Sequence, residues 1–289
     1  MEALFLSSTN YPDLDKNYGD CILIDNQTEL VVYDCGCEEH AKRVEKYMNE
    51  NGYKSVKVVL SHNDSDHFNG IPYLIDRGLV TDVYTLLLLK YKDELLNLID
   101  DKRRTRDSIA NSIAEIYANI YSLSGKVTLK DIFSDTNVAK GVWIPGPSKE
   151  YALNAVAKNI DSRQSDTIDK ETIVNAVSTQ LSVRFDSGSK MLLTGDSSFI
   201  AIEETIKSHS IIQLPHHGKL EQAESIFEAK DNNTVYYVSD NTGRSNGGSD
   251  DLRKKYPKGH VIYNTFFEDQ ICSENTATIT KTTASYLWG

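Results

Sequence analysis

Between Ser61 and Gly70 the chain reads SHNDSDHFNG, which gathers His62, Asp64, Asp66 and His67 into ten positions. Imidazole and carboxylate are the groups that divalent cations accept as ligands. The preceding run, SVKVVL, is strand-like, so the four side chains sit in a loop that can fold back around one point. Two later pieces match this arrangement. LLTGDSS places Asp196 after a second apolar run and a glycine, and LPHHG places His216 and His217 at the end of a third. Strand ends followed by loops are where sheet-based α/β folds carry their sites. Each piece alone has a bland reading: a His-His pair is often structural, Gly-Asp is a common turn, and an Asp-rich loop is usually solvated. All three at strand ends, in one chain, point to a divalent-metal centre.

The elements that must position these residues follow from periodicity. GDCILI and ELVVYDCG are apolar, β-branched runs about an Asp-Asn-Gln turn, and therefore strands. Ala41, Val44, Tyr47 and Met48 recur at helical spacing, which predicts a helix over 38–51 stopped by Gly52. GIPYLIDRG predicts a short helix stopped by Gly78, and VTDVYTLLLL a buried strand. Over roughly 90–135, Ile109, Ile113, Ile116, Tyr117, Ile120 and Tyr121 form an apolar stripe. The segment reads as a helical excursion from the main fold, with core packing, a lid or an oligomer surface as its uses. Strands return in GVWIPG, QLSVRFDSGSKMLLTGD, SIIQLPHHG, TVYYVSD and HVIYNT, with helices over about 199–209 and 220–229. The order is that of an α/β sandwich, and no linker or repeat divides residues 1–289 into separate domains.

Composition narrows the function. A net charge of -11 argues against a surface that grips nucleic acid throughout, since such binding relies on Lys and Arg to neutralise phosphates. The N-terminus shows neither a basic n-region nor a long apolar stretch, and the longest apolar run, Val83–Leu89, is strand-length. Four cysteines (Cys21, Cys35, Cys37, Cys272) do not make a disulfide framework in a chain this long. These features predict a cytoplasmic protein without a membrane segment.

The motifs from GDCILI and VVYDCG through HNDSDH and TGD to PHHG resemble the metallo-β-lactamase superfamily over most of the chain. Asp64 at the second position of the loop, together with PHHG, is similar to the hydrolase domain of the competence protein ComEC and to phosphorylcholine esterases. The resemblance implies an αβ/βα four-layer sandwich with a helical insertion, and two divalent ions (zinc or manganese, with iron a further option). It implies that His62 and Asp64 hold one ion, that Asp66 and His67 hold the other, and that Asp196 bridges them. His217 completes the second site, leaving His216 as a neighbour or proton shuttle. Asp34 stands where the family has a supporting acid. One family histidine is missing: the stretch ETIVNAVSTQLSVRF offers only Asn175, Ser178 or Thr179 in its place. With His62 its only imidazole, the first site is hard and anionic, which shifts preference from zinc towards manganese or iron.

Two cations sharing a hydroxide suit phosphodiester hydrolysis, in nucleic acid or in a small molecule, because no side-chain nucleophile is needed. Asp66 would orient the hydroxide and His216 would supply the leaving-group proton. Lys219 is a candidate oxyanion partner, although a solvated helix-start lysine is the plainer reading. The missing histidine argues against a true β-lactamase, and Asp64 against thioester hydrolysis. The alternative class is a non-catalytic, metal-stabilised scaffold that binds a partner. His40, His209 and His260 are expected at the surface or at helix caps.

Overall fold

In the computed structural model, residues 1–161, 167–244, 247–256 and 259–273 are described. Their strands in chain order are β1 (Glu2–Phe5), β2 (Ile22–Asp25), β3 (Leu30–Tyr33), β4 (Val56–Val59), β5 (Val80–Thr85), β6 (Thr128–Asp131), β7 (Asn137–Ala139), β8 (Val142–Gly146), β9 (Thr167–Ile168), β10 (Glu171–Thr172), β11 (Gln180–Arg184), β12 (Lys190–Leu193), β13 (Ile211–Gln213), β14 (Val235–Val238), β15 (Val261–Asn264) and β16 (Gln270–Ser273). One seven-stranded sheet has the order β16-β1-β2-β3-β4-β5-β6 and the other β15-β14-β13-β12-β11-β8-β7. β9 and β10 pair separately as a small hairpin.

The two sheets repeat one pattern. Antiparallel pairing holds as far as β3 in the first and β12 in the second, and parallel pairing continues beyond. Parallel strands need crossovers, and helix Glu38–Asn51 supplies the one between β3 and β4. Its left-handed Gly52 ends it where the sequence predicts. In the second sheet, adjacent residues divide between two cores. Leu193, Ile211 and Tyr237 join the large apolar cluster shared by both sheets, where Phe5 stacks on Tyr237 at 4.8 Å. Leu192, Ile212 and Tyr236 join a smaller cluster with Ile202, Ile226 and Leu252 from the helices outside. That alternation is the period of a strand buried on both faces. The result is the helix–sheet–sheet–helix sandwich expected, a mixed α/β fold.

The helical excursion is shorter than the sequence pattern predicts. A 3-10 turn, Leu88–Tyr91, leads to helices Lys92–Leu98, Arg106–Ile116 and Ala118–Ser122. Residues 128–131, expected within it, are instead the edge strand β6, parallel to β5. Thr105 starts the middle helix with a capping box to Ser108, which explains why the charged run before it is not helical. Ile109, Ile113, Tyr117 and Ile120 are buried in the core, each contributing about 1.5–3 kcal/mol of apolar burial. Helix Lys149–Ile160 packs against Lys92–Leu98; its alanines blur the periodicity that would have marked it. At the break between the two later helices the excursion is tied to the loop after β4. Asn63 Nδ2 donates to the Ile116 carbonyl at 2.8 Å, and Asn119 Nδ2 donates to the Asn63 carbonyl at 2.9 Å.

Candidate metal centre

The ends of β3, β4, β12, β13 and β14 converge on one cleft of about 550 Å³. The loop after β4 enters it with His62, Asp64, Asp66 and His67, and it is fixed mainly through its backbone. The Asp66 carbonyl accepts from the Asp20 amide at 2.9 Å, and the His67 carbonyl from the Cys35 amide at 2.8 Å. Gly19 and Gly36 make this possible, since a Cβ on either would fall 1.7 or 2.1 Å from the Asp66 carbonyl oxygen. After β12, Gly195 turns Asp196 inward; after β13, the PHHG turn delivers two adjacent histidines. Both His216 (φ 51) and His217 (φ 55) are in the left-handed region, at a cost of about 1–2 kcal/mol each. This backbone directs consecutive rings into the same cleft. The His216 amide, donating to the Gly195 carbonyl at 3.1 Å, ties the two turns together.

Each ring is held from behind. His67 Nδ1 donates to Asp34 Oδ2 at 2.8 Å, so Asp34 is the supporting acid expected of it. Asp34 also accepts from the Ser61 amide and hydroxyl, both at 2.7 Å. With that hydroxyl's proton directed to Asp34, the Ser61 oxygen is left to accept from His62 Nδ1 at 2.9 Å. His217 Nδ1 faces Asp20 Oδ1 at 3.0 Å and the Ser239 carbonyl at 3.1 Å, both acceptors. His216 Nδ1 donates to Glu171 Oε2 at 2.6 Å. Asp20 and Glu171 are absent from the sequence reading. The signal for Asp20 lies in the Gly-Asp of GDCILI, whereas nothing marks Glu171 before the β9–β10 hairpin folds over the site.

The cleft side of the rings is different. His62 Nε2, His67 Nε2 and Asp196 Oδ1 are buried without a hydrogen-bond partner. His67 Nε2 lies 3.3 Å from Asp196 Oδ1, yet the two are not aligned to bond. Buried polar atoms left unpaired cost about 1–3 kcal/mol each, so three that converge fit a missing common partner. With imidazole nitrogens and carboxylate oxygens as the only donors, the fitting partner is a divalent cation. Two buried groups have ligand atoms within 4.8 Å of one another: His62, His67 and Asp196, and Asp20, His67 and His217. In the second, Asp20 lies on the Nδ1 side of His217, so it orients the ring, while Nε2 faces Asp66 Oδ2 at 3.2 Å. The donor set is consistent with a dinuclear centre.

Electrostatics support this. Burial opposes charge on Asp66 and Asp196, but the rings of His67 and His217 outweigh it and hold both carboxyls well below the usual range. Burial likewise opposes charge on His67 and His217. Asp196 and Asp34 overcome it for His67, as Asp20 and Asp196 do for His217, and both rings are raised well above their ordinary value. The carboxylates around His67 and His217 thus favour the charged form of both rings, and a bound cation would take over the place of those protons.

All six sequence-predicted ligand positions lie at this cleft. Asp66 Oδ2 also accepts from Asn17 Nδ2 at 2.8 Å. Of the candidates for the missing histidine, Asn175 donates to Asp196 Oδ2 at 3.4 Å, and Ser178 Oγ stands 3.3 Å from His62 Nδ1 and from the Asp196 amide. The Thr179 hydroxyl has no partner, and its backbone joins Ser61 and Tyr33 instead. Lys219 lines the cleft, held by Glu171 Oε1 at 2.8 Å. Asp240 braces its own loop through Thr242 and Ser249. His40 and His209, expected at the surface or in caps, are buried: His40 bridges Tyr11 and Gly19, and His209 bridges Thr205 and Ser182. His260 stacks on Phe227 at 4.0 Å. The four cysteines are free and buried. No described helix is long and apolar enough to cross a membrane.

Similarity to known proteins extends over part of the sequence and, at low identity, to several solved structures. The family model described as the metallo-β-lactamase superfamily matches residues 14–115, the stretch holding Asp20, Asp34 and the ligand loop. That match covers about a third of the chain, and over this stretch the chain is similar to the metallo-β-lactamase superfamily. Among solved structures, the metallo-β-lactamase fold protein YhfI from Bacillus subtilis is 14% identical, covering 91% of this chain and 96% of its own, with a TM-score of 0.49. Igni18, a metallo hydrolase from the archaeon Ignicoccus hospitalis, is 12% identical over 94% and 99%, with a TM-score of 0.47. Human tRNase Z, short form, is 13% identical over 79% and 82%, with a TM-score of 0.37. No curated protein matches the chain.

Proposed function

We propose that the protein is a two-metal hydrolase of phosphodiester bonds. The observation that carries this reading is the convergence of His62 Nε2, His67 Nε2 and Asp196 Oδ1, buried and unpaired, beside an open cleft that Asp196 lines. His62 and Asp64 would hold one cation, Asp66, His67 and His217 the other, with Asp196 shared. When bound, the cations supply an activated water near neutral pH and neutralise charge on phosphoryl oxygens. The chain's part is to hold the rings in one tautomer through Asp34, Asp20 and Ser61, and to keep Asp66 ionised and aimed by Asn17 for orienting the attacking water. The Asp64 form of the loop and the PHHG turn support a place beside the ComEC-type domain and the phosphorylcholine esterases.

Within phosphodiesters, the cleft favours a small molecule over a polynucleotide. Asp64, Asp66, Asp196, Asp250 and Asp251 line it against two lysines. Lys219 is paired with the buried Glu171 and Lys254 sits in an exposed pair with Asp251, so the lining carboxylates outnumber the lysines that could meet a phosphate backbone. The test is turnover of bis(4-nitrophenyl) phosphate by metal-loaded protein, beside a thioester and nitrocefin. Diester cleavage that Asp196→Ala abolishes supports the proposal; no cleavage by protein holding two cations per chain refutes it and favours a metal-stabilised scaffold.

A further inference from the structure

We propose that His216, braced by Glu171, is the nitrogen ligand that completes the first metal site, in place of the histidine the chain lacks. The inference rests on the two-metal reading and deepens it. Around Asp196 Oδ2 and His62 Nε2, three separations share one character. His62 Nε2 is 3.6 Å from Asp64 Oδ2 and 3.9 Å from Asp196 Oδ2, and His216 Nε2 is 3.7 Å from Asp196 Oδ2. These are too long for hydrogen bonds. They approach the roughly 3.4 Å that separates two ligand atoms bonded to one cation at about 2.1 Å each.

The second observation is the support behind the ring. A metal-binding histidine donates its other N–H to a carboxylate or carbonyl, which leaves the cleft-side nitrogen bare. His67 does this with Asp34 at 2.8 Å and His217 with Asp20 at 3.0 Å. His216 does the same with Glu171 at 2.6 Å, and Glu171 is only 1% exposed. Burying a carboxylate there costs several kcal/mol. Its second oxygen is held by Lys219 at 2.8 Å, and Gln222 Nε2 lies 3.3 Å away. The third observation is the left-handed turn at 216–217, which brings both rings into the cleft where an ordinary backbone would separate them.

The consequence would be a balanced pair of sites, with His62, His216 and Asp64 assigned to one cation, His67, His217 and Asp66 to the other, and Asp196 common to both. Among these, His216 is linked by distance to Asp196. Two imidazoles at each position restore the borderline-soft character that a lone His62 lacks. His216 thereby becomes a ligand, not the proton donor its sequence context indicates, since Nε2, the nitrogen that would carry the transferable proton, is the one turned to Asp196.

The test is a Co²⁺ titration with chelator competition, together with the proton spectrum of the Co²⁺-loaded protein. His216→Gly suits it because φ 51 is a conformation glycine adopts freely, so the variant removes the ring and leaves the turn. Expected are two ions per wild-type chain and, in His216→Gly, one site at wild-type affinity and one weakened at least tenfold. One paramagnetically shifted imidazole N–H signal should vanish, and added imidazole should restore the weakened site. Glu171→Gln should weaken the same site alone, by about 10–100-fold. Two ions at unchanged affinity in His216→Gly, with every shifted N–H retained, overturn this proposal alone. Fewer than two ions in the wild type overturn it together with the two-metal reading.

Discussion

The two halves of the cluster carry the same donor types in different surroundings. Around His67 and His217 the rings are 0% and 5% exposed, and Asp66 is 19% exposed. Across Asp196, His62 is as deeply set, but Asp64 is 47% and His216 31% exposed. Buried charges interact through a lower effective dielectric and are screened less by salt, so an identical donor set binds more tightly on the enclosed side. The difference teaches that ligand identity sets which ion is accepted, while burial sets how firmly each half keeps it. A chelator should therefore empty the His62 half first.

The most severe way to break the comparison is to remove what the halves share. Asp196→Ala is expected to lower both affinities and to cut diesterase activity by about 10³-fold or more, read by metal analysis and steady-state kinetics. Removing the support of one half is next. Asp34→Asn should weaken the His67 side by about 10–100-fold in Co²⁺ affinity and leave the other side nearly unchanged, as competition titration would reveal. If both sides weaken equally, the halves are not separable.

Acidity sharpens the contrast further. His67 and His217 have folded values raised above their unfolded ones, so the stability they confer is present below about pH 6.5 and is lost as pH rises through the raised values. Metal-free protein should lose melting temperature on the alkaline side, and Co²⁺-loaded protein should not, because the cation replaces the protons; calorimetry from pH 6 to pH 9 or so would compare them. His40 is the internal control. It is buried like His67, but with Tyr11 and Gly19 as partners and no paired carboxylate, and burial pushes it down to about 4. Its contribution is present above 6.5 and is lost as pH falls towards 4, about 3 kcal/mol in all. His40→Gln should flatten that acid limb without touching metal uptake. A steep alkaline limb that persists in the loaded protein would contradict this scheme.

Much of this was legible in the chain because ligands and strands are local signals. Four of the candidate ligands sit in one decapeptide, and β3 and β4 announce themselves as apolar runs. What stayed hidden is long-range. Asp20 meets His217 across 197 positions, and Glu171 meets His216 across 45, so no window of sequence contains either pair. β6 was masked because TLKD is only partly buried at a sheet edge, with little apolar pattern to show. His209 caps the end of its helix at the Thr205 carbonyl as expected, whereas His40 misled because its neighbours are helical and polar, while its burial is set by residues far away in the chain.

The link at Asn63 has a consequence for how the scaffold can be remodelled. The excursion over 88–122 meets the ligand loop through two hydrogen bonds, one offered to the Ile116 carbonyl and one received from Asn119. Because Asn63 stands between His62 and Asp64, a replacement insert that fills the same core positions preserves this junction if it also presents one carbonyl and one amide at that spot. Part of the cleft's geometry is thus held from an element that contributes no side chain to the candidate ligand set.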